Sequence, residues 1–222
     1  MSAPLAASLP ELVGRTATVS VSATAVAMAI GIPAGTALGL ARFRGRRLVA
    51  AVVNTGMALP TVVVGLIVAL VLFRSGPLGS LELIYTVRGM IVAQVLIAAP
   101  LITGITLAAI QALPEELPDQ LRALGANRRQ LVVRLWLEAR LPLLAAVMAG
   151  FGHAVSEVGA ATMVGGNIHG QTQVLTTAIV EQVGKGEFGP AIGYGAVLLA
   201  LAFVVNALLT SVQQRGAAWA RS

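Results

Sequence analysis

Glu157 is the only acidic side chain deep within a segment long enough to cross a membrane. It follows Leu141 by about 16 residues, and at about 1.5 Å per residue this places it in the outer half of a bilayer. An ionisable group there usually faces a bundle interior or a water path. We expect it to hold a Gly-rich turn by a hydrogen bond, with gate positioning as the alternative. His153 lies one helical turn earlier and is either its partner or a packed histidine. No third ligand has a suitable spacing, so no metal site is predicted.

A run of neutral hydrogen-bond donors follows Glu157 and predicts a lining that an anion could pass without being trapped. The donors are backbone N–H groups, an amide and hydroxyls, carried by Gly165, Gly166, Asn167, Thr176 and Thr177. Together with Ser156 and Glu157 they form our candidate pathway or gate. The alternative is loop geometry alone, with glycines making the turn and threonines capping a short helix.

A polar, arginine-rich island interrupts the apolar sequence from about Pro114 to Arg140. Helix-like spacing predicts an apolar surface that charged residues rim, which suits docking of a partner. The surface would comprise Leu121, Leu124, Leu131 and Leu135, and the rim Asp119, Arg122, Arg128 and Arg129. Gly125 would permit a sharp reversal or a close backbone approach. The alternative is an amphipathic helix lying on anionic lipid.

The composition places the chain in a membrane. Of its 222 residues 57% are hydrophobic and 11% charged, and the mean hydropathy is +0.86. Such a chain cannot hide its apolar surface in a soluble core. The net charge of +6 does not indicate nucleic acid, because the basic residues are not clustered on a soluble face. Cysteine is absent, so there is no disulfide framework. We expect no cleaved signal peptide, because no basic region precedes an apolar stretch before Glu11.

Five segments have roughly the 20 residues that a membrane span requires. They run from about Thr16 to Ala41, Leu48 to Phe73, Gly89 to Gln111, Leu141 to Met163, and Pro190 to Ser211. Pro33, Pro60 and Pro100 lie inside spans, where a missing N–H kinks or opens a helix. The segment from Gly165 to Glu181 is too short and too polar to span, which predicts a short or re-entrant helix on the outer side.

Basic residues predict the orientation. Eleven of the 15 fall on one side of the five-span arrangement: Arg42, Arg44, Arg46, Arg47, Arg122, Arg128, Arg129, Arg134, Arg140, Arg215 and Arg221. Because positive charge stays cytoplasmic, the N-terminus is expected outside and the C-terminus inside. The sequence carries neither a nucleophile–base pair nor a phosphate-binding Gly-rich loop before Lys-Ser/Thr, so we do not expect it to hydrolyse ATP.

The polar island resembles the cytoplasmic loop of ABC importer permeases, in which an acidic residue is followed by two alanines and by a glycine six residues after the acid. Asp119 stands at the acidic position, Ala123 and Leu124 precede the glycine, and Gly125 is the glycine. Glu138 stands where the family expects proline, and Pro142 matches a second proline. In this family the loop folds as two short coupling helices that fit a groove on an ATP-hydrolysing subunit.

A second region narrows the resemblance. The stretch from Ser156 to Ala160 is similar to Ser-Glu-Phe-Gly-Ala in permeases for molybdate, sulfate and tungstate. The stretches 164–168 and 174–179 look most like the tungstate branch. The resemblance implies a type I ABC importer permease fold, all-α, with residues 1–222 forming one membrane domain. Residues implied in ATPase coupling are Asp119, Arg122, Ala123, Leu124, Gly125, Ala126 and Arg128.

The resemblance also implies the partners. A second copy of the chain, an ATPase dimer, an extracytoplasmic tungstate-binding protein and membrane lipid are expected, with ATP and magnesium held by the ATPase and no cofactor on this chain. The location would be the cell inner membrane. Molybdate or sulfate remains an alternative substrate. A carrier driven by an ion gradient would require several buried charges, and a non-transporting scaffold would have no ATPase partner.

Overall fold

The computed structural model describes residues 8–219, and its elements are helical. Arg221, which was counted in the charge bias, and the side chain of Arg215 lie outside the described part. The helices are α1 (Leu9–Leu40), α2 (Arg46–Met57), α3 (Thr61–Leu72), α4 (Val87–Gln111), α5 (Leu117–Ala123), α6 (Arg128–Glu138), α7 (Arg140–Ser156), α8 (Gly159–Gly165), α9 (Leu175–Gly184) and α10 (Phe188–Trp219). A 3₁₀ turn, Gly79–Leu81, precedes α4.

Three helices are long and apolar enough to cross a membrane, namely α1, α4 and α10. Two bent pairs raise the number to five if each pair is one span: α2 with α3, bent by 98°, and α7 with α8, bent by 58°. These correspond to the five predicted segments. The first begins earlier than predicted, at Leu9, because the polar residues before Thr16 continue the helix.

Only one of the three prolines predicted to kink or open a span separates two helices. Pro60 lies between α2 and α3 and is extended, with φ −60° and ψ 119°. Pro33 and Pro100 instead lie inside α1 and α4. We attribute the difference to packing, because α1 and α4 lie against each other while α2 has no buried residue to support a continuous helix.

The α1–α4 contact is built on a row of small residues. A Cβ at Gly31 would lie 2.9 Å from Ile102 Cγ2, and one at Gly39 would lie 2.8 Å from Ile110 Cγ2. At Gly35 it would lie 2.5 Å from the backbone oxygen of Thr103. The four-residue repeat therefore lets the two helix backbones approach closely, as small residues do in membrane helix pairs.

The two broken spans pack on each other. A Cβ at Gly65 of α3 would lie 2.5 Å from the Cα of Ala160 in α8. Around this contact, buried residues of α3, α4 and α8 form one apolar cluster: Val68, Leu72, Ala93, Ile97, Ala160 and Val164. Along the chain, the short helix α9 follows these two broken spans and precedes α10, so the predicted short helix is present.

Candidate functional site

The predicted coupling residues lie on α5, α6 and the turn between them. Gly125 has φ +81°, and a Cβ there would meet nothing within 4 Å. The Ala126 N–H donates to the Leu121 carbonyl at 3.0 Å, and the Gly125 N–H to the Arg122 carbonyl at 2.9 Å. This is the Schellman arrangement that ends a helix with a left-handed residue. Glycine is therefore needed for the sharp reversal, not for close approach of another backbone.

Helix α6 begins immediately after this turn with a capping box. The side chain of Asn127 accepts from the Gln130 N–H, and the side chain of Gln130 accepts from the Asn127 N–H, both at 2.9 Å. The pattern satisfies two backbone donors at the start of the helix. On α5, Arg122 donates to Asp119 at 2.6 Å. Both side chains are exposed, so the pair adds little stability.

The four leucines predicted to form an apolar docking surface do not act together. Leu131 and Leu135 are 4% and 1% exposed and belong to a core cluster with residues of α4 and α7. Leu121 packs against the same cluster and is partly buried. Leu124 alone of the four projects outward, with 84% of its surface exposed. The prediction of a four-leucine surface was wrong because three of the positions face the permease itself, and they fix α5 and α6 to the membrane helices.

Glu138, which stands where the family expects proline, is the last residue of α6, and Pro142 lies in the first turn of α7. Because Pro142 has no N–H, it cannot donate to the Glu138 carbonyl four residues earlier. The α6–α7 break is therefore present without a proline at position 138.

A side-chain hydrogen bond joins α6 to α1. Trp136 Nε1 donates to Thr36 Oγ1 at 2.9 Å. Thr36 is 2% exposed. No spacing in the sequence indicates this pairing, because the two residues are 100 positions apart and meet only when α6 packs against α1.

Glu157 lies at the bend between α7 and α8 and is 7% exposed. Its Oε1 accepts from the Ala160 N–H at 2.9 Å, and its main-chain oxygen accepts from Thr176 Oγ1 at 2.9 Å. Among the described residues it forms no ion pair with His153. The structure therefore supplies the helix-to-loop hydrogen bond that the sequence suggested, with an amide as donor. At the end of α7, Ser156 donates to the Gly152 carbonyl at 2.8 Å.

The two threonines of α9 are buried, and the fold uses both hydroxyls. Thr176 holds the bend through Glu157, as above, while Thr177 Oγ1 accepts from the Val174 N–H at 3.1 Å and caps the helix. From α1, Thr16 Oγ1 accepts from the Leu175 N–H at 2.9 Å, and Arg15 Nε donates to the Gln173 carbonyl at 3.0 Å. The start of α9 is thereby fixed both to the bend and to α1.

Glycines and an asparagine shape the turn after α8. Gly166 has φ +72° and Asn167 has φ +50°, two left-handed residues in succession. A Cβ at Gly165 would lie 2.7 Å from Met90 Sδ, so this position serves close packing on α4. Thr172, which the sequence reading missed, closes the turn: its hydroxyl donates to the Gly165 carbonyl and accepts from the Ile168 N–H.

Glu181 is the centre of a polar cluster that the sequence reading also missed. Its carboxylate accepts from Asn167 Nδ2 at 2.8 Å and from Gln173 Nε2 at 2.7 Å, and contacts His169 Nε2 and Lys185 Nζ. Burial raises the pKa of Glu181, but the hydrogen bonds from Lys185, Asn167 and His169 outweigh it and hold the pKa at about 2. The Glu181–Lys185 spacing of four was the available signal.

The predicted residues thus form two groups, one at the α5–α6 turn and one around the α7–α8 bend and α9.

The chain is similar in sequence to known transport proteins. A probable anion ABC transporter permease protein of Haloferax volcanii is 43% identical over 195 residues, covering 86% of this chain and 84% of that protein. The tungstate uptake system permease protein TupB of Peptoclostridium acidaminophilum is 41% identical over 196 residues, covering 88% and 86%.

The fold has a close structural counterpart. A chain of the MetNI methionine ABC transporter, in an inward-facing conformation, superposes with a TM-score of 0.78 over 94% of this chain and 95% of that one, at 20% identity. This likeness shows the fold, which is that of a type I ABC importer permease. The family model described as binding-protein-dependent transport system inner membrane component matches residues 31–216. The chain therefore belongs to this family of ABC importer permeases, as the resemblance of its polar island and of residues 156–179 had indicated.

Proposed function

We propose that this chain is the membrane-spanning subunit of an importer for tungstate, and that the α5–α6 turn receives the movement of a separate ATPase. The observation that carries the coupling role is Leu124, an exposed apolar side chain at the tip of a turn whose neighbouring leucines are buried in the permease. An exposed leucine on a rigid support suits insertion into a partner's groove.

The substrate proposal rests on the named relatives, one an anion permease and one a tungstate uptake permease. The neutral donors predicted to line the pathway add no support, because the fold already engages them: Asn167 donates to Glu181, Thr176 to the Glu157 carbonyl and Thr177 to the Val174 carbonyl. Molybdate and sulfate are the competing substrates.

The remaining parts of the complex follow from this role. A second copy would complete the pathway, an extracytoplasmic binding protein would deliver tungstate, and ATP with magnesium would act on the ATPase, with no catalytic residue or cofactor on this chain. ATP-driven closure of the ATPases would move the two turns and tilt the helices between two states. The charge bias supports a cytoplasmic position for the turn.

Gly125 provides the test of coupling. In proteoliposomes with the ATPase and binding protein, Gly125→Val should abolish ATP-dependent tungstate uptake, because a β-branched residue is strained at φ +81°. Gly125→Asn is the matched variant, since asparagine tolerates the left-handed region, and it should retain most uptake.

Copurification distinguishes a variant that no longer binds the ATPase from one that no longer inserts into the membrane. The wild-type chain and the Asn variant should bring the ATPase out of detergent extracts, and the Val variant should not, while all three insert equally. Normal uptake by Gly125→Val would contradict coupling through this turn. Uptake of molybdate or sulfate in preference to tungstate would contradict the substrate and leave the coupling role standing.

A further inference from the structure

A groove lies between α1 and α6, beside the tip of the proposed coupling turn. It has a volume of about 750 Å³, within the range of sites that hold small molecules. Its lining comes from the second half of α1 and from the α5–α6 region and includes Pro33, Ala37, Arg122, Arg128 and Trp136. Arg122 and Arg128 are also among the residues predicted to couple to an ATPase, whereas Leu124 and Gly125, at the tip of the turn, do not line the groove.

One wall of the groove continues an apolar face of α1. Val26, Ile30, Pro33 and Ala37 follow one another at intervals of four, three and four, so they share a helix face, and all four are exposed. Residues 16–41 contain no charged side chain. An exposed, uncharged face on a membrane-crossing helix is suited to acyl chains.

Two basic side chains, Arg122 and Arg128, also line the groove. Among the described residues Arg122 pairs with Asp119, whereas Arg128 forms no ion pair. The positive end of the α6 dipole lies beside Arg128, which is the first residue of that helix. Trp136 lines the groove as well, and its Nε1 donates to Thr36 Oγ1. Tryptophan is typical of the level at which lipid headgroups meet the hydrocarbon.

We propose that this groove binds an anionic phospholipid of the coupling-loop leaflet, with the phosphate at Arg128 and Arg122 and an acyl chain along α1. Charge complementarity and continuity with the apolar face identify the occupant. A basic pocket between membrane helices at the headgroup level is a known kind of anionic lipid site. The proposal does not depend on which substrate is carried, and it places the lipid beside the tip of the turn that would contact the ATPase.

Quenching of tryptophan fluorescence tests it directly. The sequence has two tryptophans, so Trp219→Phe in the full-length chain leaves Trp136 as the only probe. In phosphatidylcholine liposomes, small fractions of brominated phosphatidylglycerol should quench Trp136 far more than equal fractions of brominated phosphatidylcholine. Arg128→Gln should weaken the preference for phosphatidylglycerol about fivefold, since each arginine near an anionic lipid surface contributes about 1 kcal/mol.

Matched variants distinguish a local effect on the groove from a general disturbance of the protein. Arg129→Gln removes a neighbouring charge that does not line the groove and should leave the preference unchanged. Ala37→Phe should fill the groove and reduce quenching, whereas Ala34→Phe, on an exposed position outside the lining, should not. Size-exclusion profiles identify any variant that fails to fold.

Four results would overturn the proposal. Equal quenching by the two brominated lipids would mean that no headgroup is selected. Equal effects of the Arg128 and Arg129 variants would mean that only net charge matters. Protection of Trp136 from both lipids would mean that a second copy of the chain covers the groove. Displacement of the lipid by inorganic phosphate would indicate a soluble anion as the ligand instead.

Discussion

Residues of the same type in this protein differ in whether the folded chain buries them or leaves them exposed. Leu131 and Leu135 share their spacing and chemistry with Leu124, yet only Leu124 remains exposed. Periodicity alone showed an amphipathic segment but could not show which partner its apolar face meets. The face meets α4 and α7 of the same chain, so the surface left for an ATPase is smaller and centred on the turn.

Glu181 supports a prediction at the residue scale. Its pKa in the folded protein, about 2, lies below the ordinary value of 4.5. The ionised carboxylate therefore stabilises the 165–185 region above about pH 4.5, and that stabilisation is lost as the pH falls from 4.5 toward 2. Glu181→Gln should lower the hydrogen-exchange protection of amides 167–184 at pH 6 and flatten its dependence on acid.

The matched control for this prediction is Glu187→Gln. Glu187 is exposed and lies two residues beyond Lys185, outside the hydrogen-bond cluster. Its replacement should leave the protection of the same amides nearly unchanged. Comparable loss in the two variants would show that general acidity of this surface, and not the contacts of Glu181, holds the segment.

At the scale of helices, the sequence predicted the positions of the apolar spans, because these depend on composition. Each predicted span has a helix or a bent pair. Breaks were harder to predict. The bend at Glu157 has no proline or glycine at its first position. It is fixed by a local hydrogen bond from Ala160 of α8 and by one from Thr176 of α9, 19 positions away.

The α1–α4 packing gives a prediction with a clean control. Gly35→Val places a side chain where a Cβ alone would lie 2.5 Å from one backbone oxygen and 2.7 Å from Thr106 Cβ. We expect a loss of about 1–3 kcal/mol or more, as for other overpacked sites, read as a lower melting temperature in detergent. Gly14→Val, in open space on the same helix, should change it little. Equal losses would contradict the packing role.

For the whole molecule, the charge bias predicts topology. Reporter fusions after Arg47 and after Arg129 should both signal cytoplasm, and a fusion after Lys185 should signal the exterior, because the more basic connections stay inside. Signals of the opposite kind at the first two positions would reverse the arrangement and remove the α5–α6 turn from any cytoplasmic ATPase.

The polar cluster around Glu181 shows which contacts the sequence alone could not predict. Asn167 and Glu181 are 14 positions apart and meet only because two left-handed residues turn the chain after α8. Single residue types indicated donors in this region, but their partners depend on that backbone path. The residues of the candidate coupling turn were easier to predict, because they are consecutive in the sequence.

Helix α1 links the two groups of predicted residues. Thr36 accepts a hydrogen bond from Trp136 of α6, and Thr16 accepts one from the backbone N–H of Leu175 in α9. The two anchor points are 20 residues apart, about 30 Å along the helix. If the α5–α6 turn receives the movement of an ATPase, a tilt of α1 would carry that movement to the start of α9, and loss of either hydrogen bond should weaken the transmission.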